Sequence, residues 1–228
     1  MKYNGTERFV PYIMWHMEKK PQMPLSGRQA EAARNDRRIL ETAREVFVAD
    51  PGAPIAAVAA RAGVGISALY RRYGSKEELL RRLCAEGQRQ YIAEAEAALA
   101  EEGDPWAAFT TFMRRIVDAD THSLVLRLAG TFVPTDAMFR NGRRAEDLNV
   151  QLFERTRAAG AIRPDVEAVD IALLFEQLAA VRVADEERTR QLRHRYLALV
   201  LDALHVPSGS QLPGPPPSWE EIGRRWES

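Results

Sequence analysis

Residues 55–73 hold two short runs with helical spacing, and the joint between them is just Gly63-Val64-Gly65. In the first run Ile55, Val58, Ala59 and Ala62 fall on one face. In the second, 66–73, Leu69 turns toward the same core. A joint that short forces a sharp corner between two helices. Gly63 accepts the left-handed backbone that ends the first helix, Val64 is apolar because the turn must pin into a core, and Gly65 opens the next turn. Pro54 suits the first turn of the leading helix, where a missing N–H costs nothing.

The rest of the chain supplies helices to pack around that corner. Asn35 is expected to cap a helix that carries Ile39, Leu40, Ala43, Val46 and Phe47 on one face and ends at Asp50-Pro51-Gly52. Ser75-Lys76-Glu77-Glu78 reads as a capping box, the serine capping and Glu78 reaching back. It heads a long helix with Leu79, Leu80, Leu83, Tyr91, Ala95 and Leu99 inside. Beyond Gly103-Asp104-Pro105, the residues Trp106, Phe109, Phe112, Met113, Ile116 and Val117 share a face, and a leucine-rich segment at 123–132 stops before Pro134. Further helices are expected at 143–159, 167–183 and 186–204, with a break at Gly160–Asp165. No period-two run bounded like a strand occurs, so the expected fold class is all-α.

Four regions follow from this pass. Residues 1–27, with Pro11, Pro21, Pro24 and Gly27 and no sustained period, read as a flexible arm; docking through Phe9, Tyr12, Ile13 and Trp15 is the alternative. Residues 28–83 form an N-terminal three-helix bundle with the tight corner, and 84–206 a larger helical domain. Residues 207–228 are a proline-rich tail. Within it Ser218-Trp-Glu-Glu221 is a second capping box, and Trp219, Ile222 and Trp226 share one face of a short helix expected to fold back, a disordered tail being the alternative.

Composition narrows the class. With 228 residues, 46% of them hydrophobic and 28% charged, the chain can bury a real core in one large domain or two small ones. A single cysteine, Cys84, rules out an internal disulfide and fits a reducing compartment. No apolar run approaches the roughly 20 residues of a membrane-spanning helix. The N-terminus has no continuous apolar core for a signal peptide, so a cytoplasmic protein is expected. Zero net charge hides an asymmetry: residues 28–90 carry 12 Lys and Arg against 8 Asp and Glu, and residues 91–228 carry 16 against 22. A basic third joined to an acidic remainder is what a chain shows when one part meets a polyanion.

Helix, glycine turn, helix is the arrangement in which the first helix braces against a DNA backbone and the second lies in the major groove. With Leu69 inward, Ile66, Ser67, Ala68, Tyr70 and Arg71 face the groove, and Arg71, Arg72 and Lys76 supply charge for phosphates. An ordinary helical corner with a solvated charged rim is the other reading of the turn alone. The wider pattern favours the first. Asn35-Asp-Arg-Arg-Ile-Leu-Glu-Thr-Ala43, Val58-Ala59 leading to Ala62-Gly63-Val64, Leu69-Tyr70-Arg71-Arg72-Tyr73 and Lys76-Glu77-Glu78-Leu79-Leu80 together resemble the TetR family of one-component transcriptional regulators. The proline-rich end resembles tails of actinobacterial members.

The resemblance implies a homodimeric, ligand-responsive regulator, most simply a repressor, that binds a palindromic operator in double-stranded DNA and is released by a small lipophilic effector. It also implies that Tyr70 and Lys76 grip phosphates, while Ile66, Ser67, Ala68 and Arg72 face bases or backbone. Three departures stand out: Ala68 replaces a common threonine, Pro54 replaces a hydroxyl-bearing phosphate donor, and Ala56 stands where many members carry an arginine. They weaken base discrimination more than binding, because phosphate contacts position while base contacts specify. Ser67 remains as a hydrogen-bonding reader, and Ile66 and Ala68 can meet thymine methyl groups.

Within 84–206 the candidates to line a ligand pocket are Phe109, Met113, Phe153 and Phe175, with His122, Arg127 and Gln177 as polar anchors; plain core is the competing role for the aromatic residues. The apolar faces of 167–183 and 186–204, with the alternating charges of Asp185–Arg195, suit a two-fold dimer, against the plainer role of covering one chain's core. The four histidines show no zinc spacing and no catalytic signature appears, so no cofactor, metal or enzymatic activity is expected. A DNA binder with a filled core and no effector, and a helical enzyme, are the alternatives.

Overall fold

A computed structural model describes residues 27–206 and 211–223. The elements in chain order are α1 (Gly27–Ala49), α2 (Ile55–Ala62), α3 (Ile66–Tyr73), α4 (Lys76–Ala100), α5 (Pro105–Ala119), α6 (Thr121–Leu128), α7 (Asp136–Ala158), α8 (Ala168–Ala180), α9 (Glu186–Leu204) and α10 (Trp219–Gly223). Among the described residues there is no strand, just an isolated bridge between Ile162 and His205. The fold is all-α, with an N-terminal helix-turn-helix and a larger helical half behind it.

Two cores organise the chain. The first takes Ile39, Ala43 and Phe47 of α1, Val58 and Ala62 of α2, Leu69 and Tyr73 of α3 and Leu79, Leu80, Leu83 and Cys84 of α4. It also takes Leu124 and Leu128 of α6, Phe132, and Met138 of α7, so the small bundle is packed directly against the larger half. The second core joins Ala95 and Ala98 of α4 to Phe109, Phe112 and Met113 of α5, Phe153 of α7, Phe175 of α8 and Leu197 of α9. Helix α4 is therefore a beam shared by both.

Several boundaries differ from those read in the sequence. Asn35 does not cap α1: the helix begins at Gly27, and Asn35 lies two turns inside it, accepting a hydrogen bond from Arg38 Nη2 at 3.0 Å. Nothing between residues 28 and 50 breaks a helix, and alanine, arginine and glutamate extend it cheaply. Helix α7 starts at Asp136 rather than 143. Thr135 Oγ1 accepts from the Met138 amide at 3.3 Å, and burial of Met138 holds the added turns despite Gly142. Helix α8 ends at Ala180, three residues short of the expected end.

The capping boxes also divide. Ser75 caps α4 by accepting from the Glu78 amide at 3.0 Å, but the Glu78 carboxylate pairs with Arg81 instead of reaching back. At Ser218 both halves form: its amide donates to Glu221 Oε2 at 2.7 Å and its Oγ accepts from the Glu221 amide at 3.2 Å. The Leu212 amide ties this segment to Asp165 Oδ2 at 2.8 Å, and Trp219 is half-buried. The arm at 1–26, the side chain of Ile222 and all of Trp226 lie outside the described residues.

Candidate functional site

The corner at 63–65 is a helix stop with two backbone hydrogen bonds. Gly63 sits at φ 65°, ψ 36°, its amide donating to Ala60 O at 3.3 Å, while the Val64 amide donates to Ala59 O at 3.0 Å. That pairing satisfies the carbonyls at the end of α2, and a left-handed residue is what it requires. Val64 packs on the first core, and Gly65 returns to extended backbone before α3. Burial of Leu69 and Tyr73 then fixes the rotation of α3.

That rotation leaves Ile66 and Tyr70, two large apolar groups, at the surface, 42% and 47% exposed. Ser67, Arg71, Arg72 and Pro54 are exposed as well, and Ala68 is half-buried. Neither Pro54 nor Gly65 gives its helix a side-chain cap. Lys76 differs from the others. Its Nζ donates to Pro51 O at 2.8 Å and lies 5.2 Å from the centroid of the Phe47 ring, which fixes the ammonium beside the loop before α2.

Arg72 is not loose either. Its Nε donates to Asp36 Oδ1 at 2.6 Å; Tyr73 Oη donates to the same oxygen at 2.5 Å, and Arg82 Nη2 to Oδ2 at 3.3 Å. Burial by itself would raise the Asp36 carboxyl, but the hydrogen bonds from Arg72 and Tyr73 and the charges of Arg72 and Arg82 outweigh it and hold the group below its ordinary 3.8. The Tyr73 phenol is pushed up to about 12, by burial first and by its bond to Asp36 second. Asp36 and Arg82 were not singled out in the sequence, because their partners are 36 and 46 positions apart.

In the larger half, Phe109, Met113, Phe153 and Phe175 are all buried in the second core. Tyr91, Phe112, His122 and Phe175 form an aromatic cluster, with His122 stacked on Phe175 at 4.8 Å between centroids. Beside it lies a cavity of about 10 Å³, whose lining includes Ile116, Asp120, His122, Phe175 and Arg193. That is room for about one water, far short of the roughly 300–1,000 Å³ of a small-molecule site. Phe109, Met113 and Phe153 are outside its lining. Arg127 and Gln177 are exposed at the surface, because the inward positions of α6 and α8 go to Leu124, Leu128, Phe175 and Leu178. A wider cleft of about 460 Å³ opens between α1 and α9, and it shares Val117, Asp120 and Arg193 with the small cavity.

Asp120 is the joint of this region. It sits between α5 and α6 at φ 49°, ψ 37°, a left-handed backbone that aspartate tolerates better than most residues. Its carboxylate pairs with Arg193 Nη1 of α9 at 2.7 Å and Arg44 Nη2 of α1 at 3.5 Å, and it accepts from Ser123 Oγ. Arg44 Nη2 also donates to Ala119 O at 2.5 Å. Arg193, almost wholly buried, donates further to Val181 O, Ala179 O and Ser123 Oγ. Asp120 and Arg193 together thus connect α1, the α5–α6 joint, the end of α8 and α9. Among the described residues no group of His, Cys, Asp and Glu could hold a metal ion, and no helix is long and apolar enough to cross a membrane.

Comparison with known proteins matches both halves. Residues 39–83 match the family described as bacterial regulatory proteins, tetR family, and residues 104–206 the one described as transcriptional regulator SbtR-like, C-terminal domain. No curated protein sequence matches the chain. A TetR transcription regulatory protein from Mycobacterium vanbaalenii is 29% identical, with a TM-score of 0.54 over 78% of this chain and 98% of that one. The TetR-like regulator LfrR from Mycobacterium smegmatis, solved in complex with proflavine, gives 21% identity and a TM-score of 0.60 over 79% and 99%. A TetR regulator from Streptomyces coelicolor gives 24% and 0.54 over 76% and 99%. At those identities the last two speak for the fold alone. With the helix-turn-helix and the helical half behind it each matched in order, the chain belongs to the tetR family of bacterial regulatory proteins, DNA-binding regulators of transcription.

Proposed function

We propose that the protein is a cytoplasmic repressor that binds a palindromic operator as a homodimer and is released by a small lipophilic effector. The observation that carries the DNA-binding part is the outer face of α3. Ile66, Ser67, Tyr70 and Arg71 stand exposed on a helix whose other side is locked by Leu69 and Tyr73. A short helix with large apolar groups left in water suits a major groove, where Ile66 and Ala68 meet thymine methyls and Ser67 reads a polar edge. Tyr70, Arg71, Arg72 and Lys76 then serve phosphates, and the uncapped amides after Pro54 add a further anchor. Residues 28–83 act as the DNA-binding domain and 84–206 as the effector and dimerisation domain.

Helix α9 supports the dimer. Tyr196 and Leu199 are 44% and 57% exposed, and with half-buried Leu192 they make an apolar stripe along its outer face. A second copy of the same stripe, related by a two-fold axis, would cover it and set the separation of the two α3 helices. DNA needs one separation. An effector that prefers another weakens binding by its differential affinity for the two states, and moving the dimer from nearly all bound to nearly all free takes roughly 5 kcal/mol of coupling.

For the effector, the aromatic cluster of Tyr91, Phe112, His122 and Phe175 favours a flat lipophilic molecule. The Mycobacterium smegmatis neighbour was solved in complex with proflavine. The cavity of about 10 Å³ beside the cluster means that such a ligand binds by opening the core. The same small volume favours a second reading, a DNA binder without an effector. Anisotropy of a labelled duplex, selected from a random pool by the protein, tests both readings as flat hydrophobic compounds are titrated in. Release by a compound that also raises the melting temperature supports the sensor. Tight DNA binding that no member of a broad lipophilic library alters leaves the second reading.

A further inference from the structure

We propose that Asp36 is a positioning residue for DNA binding, a carboxylate that holds Arg72 and Arg82 ready as a pair of phosphate clamps beside the recognition helix. This rests on the reading that α3 enters the groove. Asp36 lies on α1 with its side chain 15% exposed, and it engages three donors from two other helices: Arg72 Nε, Tyr73 Oη and Arg82 Nη2. The two arginines are 39% and 54% exposed. Anchoring at Nε leaves both terminal nitrogens of Arg72, and anchoring at one Nη leaves most of the Arg82 fork, for an outside acceptor. One carboxylate against two guanidinium groups leaves the cluster one charge positive, which suits a phosphodiester.

The arrangement matters because an exposed arginine is otherwise free. A rotamer-rich side chain held in place before binding loses less freedom on contact, a gain of a factor of about 2 to 10 in affinity for each arginine. Asp36 also repels a phosphate across the guanidinium that lies between them, roughly 6–7 Å, where water-like screening leaves a repulsion of about a factor of two. The positioning effect is therefore the larger. It also gives Arg82, on α4 and outside the helix-turn-helix, a role in contacting DNA.

The test uses the full chain and a duplex selected from random sequence by the wild-type protein, with affinity measured by anisotropy across a salt series. Arg72→Ala and Arg82→Ala should each weaken binding and lower the salt slope by about one per protomer. Asp36→Asn should weaken binding at least about fivefold while the slope stays nearly constant, since both cations remain. In the Asp36→Asn background each arginine deletion should cost less than half, in log affinity, of its wild-type cost. Arg72→Lys keeps the charge at an exposed position and loses the fork; it should bind between wild type and Arg72→Ala, with the salt slope of wild type. Tighter binding by Asp36→Asn, equal arginine costs in the two backgrounds, or wild-type binding by Arg72→Lys would each overturn the proposal. If Arg71→Ala and Tyr70→Ala, which do not touch Asp36, also leave binding unchanged, it is the placement of α3 in the groove that fails.

Discussion

Replacing Asp120 gives the most quantitative test of how the two halves are joined. Asp120→Ala removes the charged partner of Arg193, whose side chain is 7% exposed, and leaves its other acceptors in Val181 O, Ala179 O and Ser123 Oγ. Breaking a buried pair by deleting one member costs about 3–5 kcal/mol, and the surviving acceptors place this case near about 3. The pair with Arg44, at 3.5 Å and partly exposed, adds less than about 1 kcal/mol. Alanine at φ 49° adds about 1 kcal/mol of backbone strain. The sum is near 4 to 5 kcal/mol, a large share of a total stability of about 5–15. Asp120→Asn keeps the tolerant backbone and an acceptor, so it should cost about 2–3 kcal/mol. Asp120→Gly should fall between the two. Adding Arg193→Met to Asp120→Ala should recover about half the loss, since the stranded charge is gone. Urea melts at one fixed protein concentration measure all four. A cost below about 1 kcal/mol for Asp120→Ala would mean a solvated surface pair, and equal costs for Ala and Asn would mean that the left-handed joint stores no strain.

Four further outcomes follow from the same geometry. Lys76→Ala should weaken all duplexes alike and lower the salt slope by about one per protomer, whereas Ser67→Ala should alter preference among sites with the slope unchanged. Tyr196→Asp with Leu199→Asp should shift the chain to monomer in light scattering and abolish binding to the full palindrome; a dimer that survives both places the interface elsewhere. Burial pushes the Cys84 thiol up to about 12, so iodoacetamide at mildly alkaline pH should leave it unmodified until urea unfolds the chain. Asp36 and Asp165 are held below the ordinary 3.8, the latter by hydrogen bonds from Arg163 and the Leu212 amide. A depressed carboxyl stabilises the fold above its unfolded pKa and loses that contribution as pH falls through its folded one. The stability gap between wild type and Asp36→Asn should therefore be constant above the ordinary aspartate range and narrow as pH falls below it; a gap that does not narrow would point to packing instead.

What the sequence settles by itself is what short-range chemistry settles. The corner at Gly63-Val64-Gly65, the capping serine at 75 and the buried faces of α2 and α3 are each decided by residues within about two turns, where spacing and backbone preference act directly. The start of α1 was misplaced at Asn35 because a residue able to cap is not obliged to, and a helix continues when nothing stops it. The site is less legible than the fold. Which face of α3 looks outward is readable from Leu69, but Arg72 and Tyr73 are tied to Asp36 across 36 and 37 positions. Asp120 meets Arg193 over a still longer separation, on helices whose relative placement no local pattern encodes. The exposure of Arg127 and Gln177, and the near closure of the cavity beside Phe175, were likewise decided by packing. Periodicity says which residues of a helix share a face; which neighbour that face meets, and how much room is left between them, is set when several helices compete to fill one core at close-packed density.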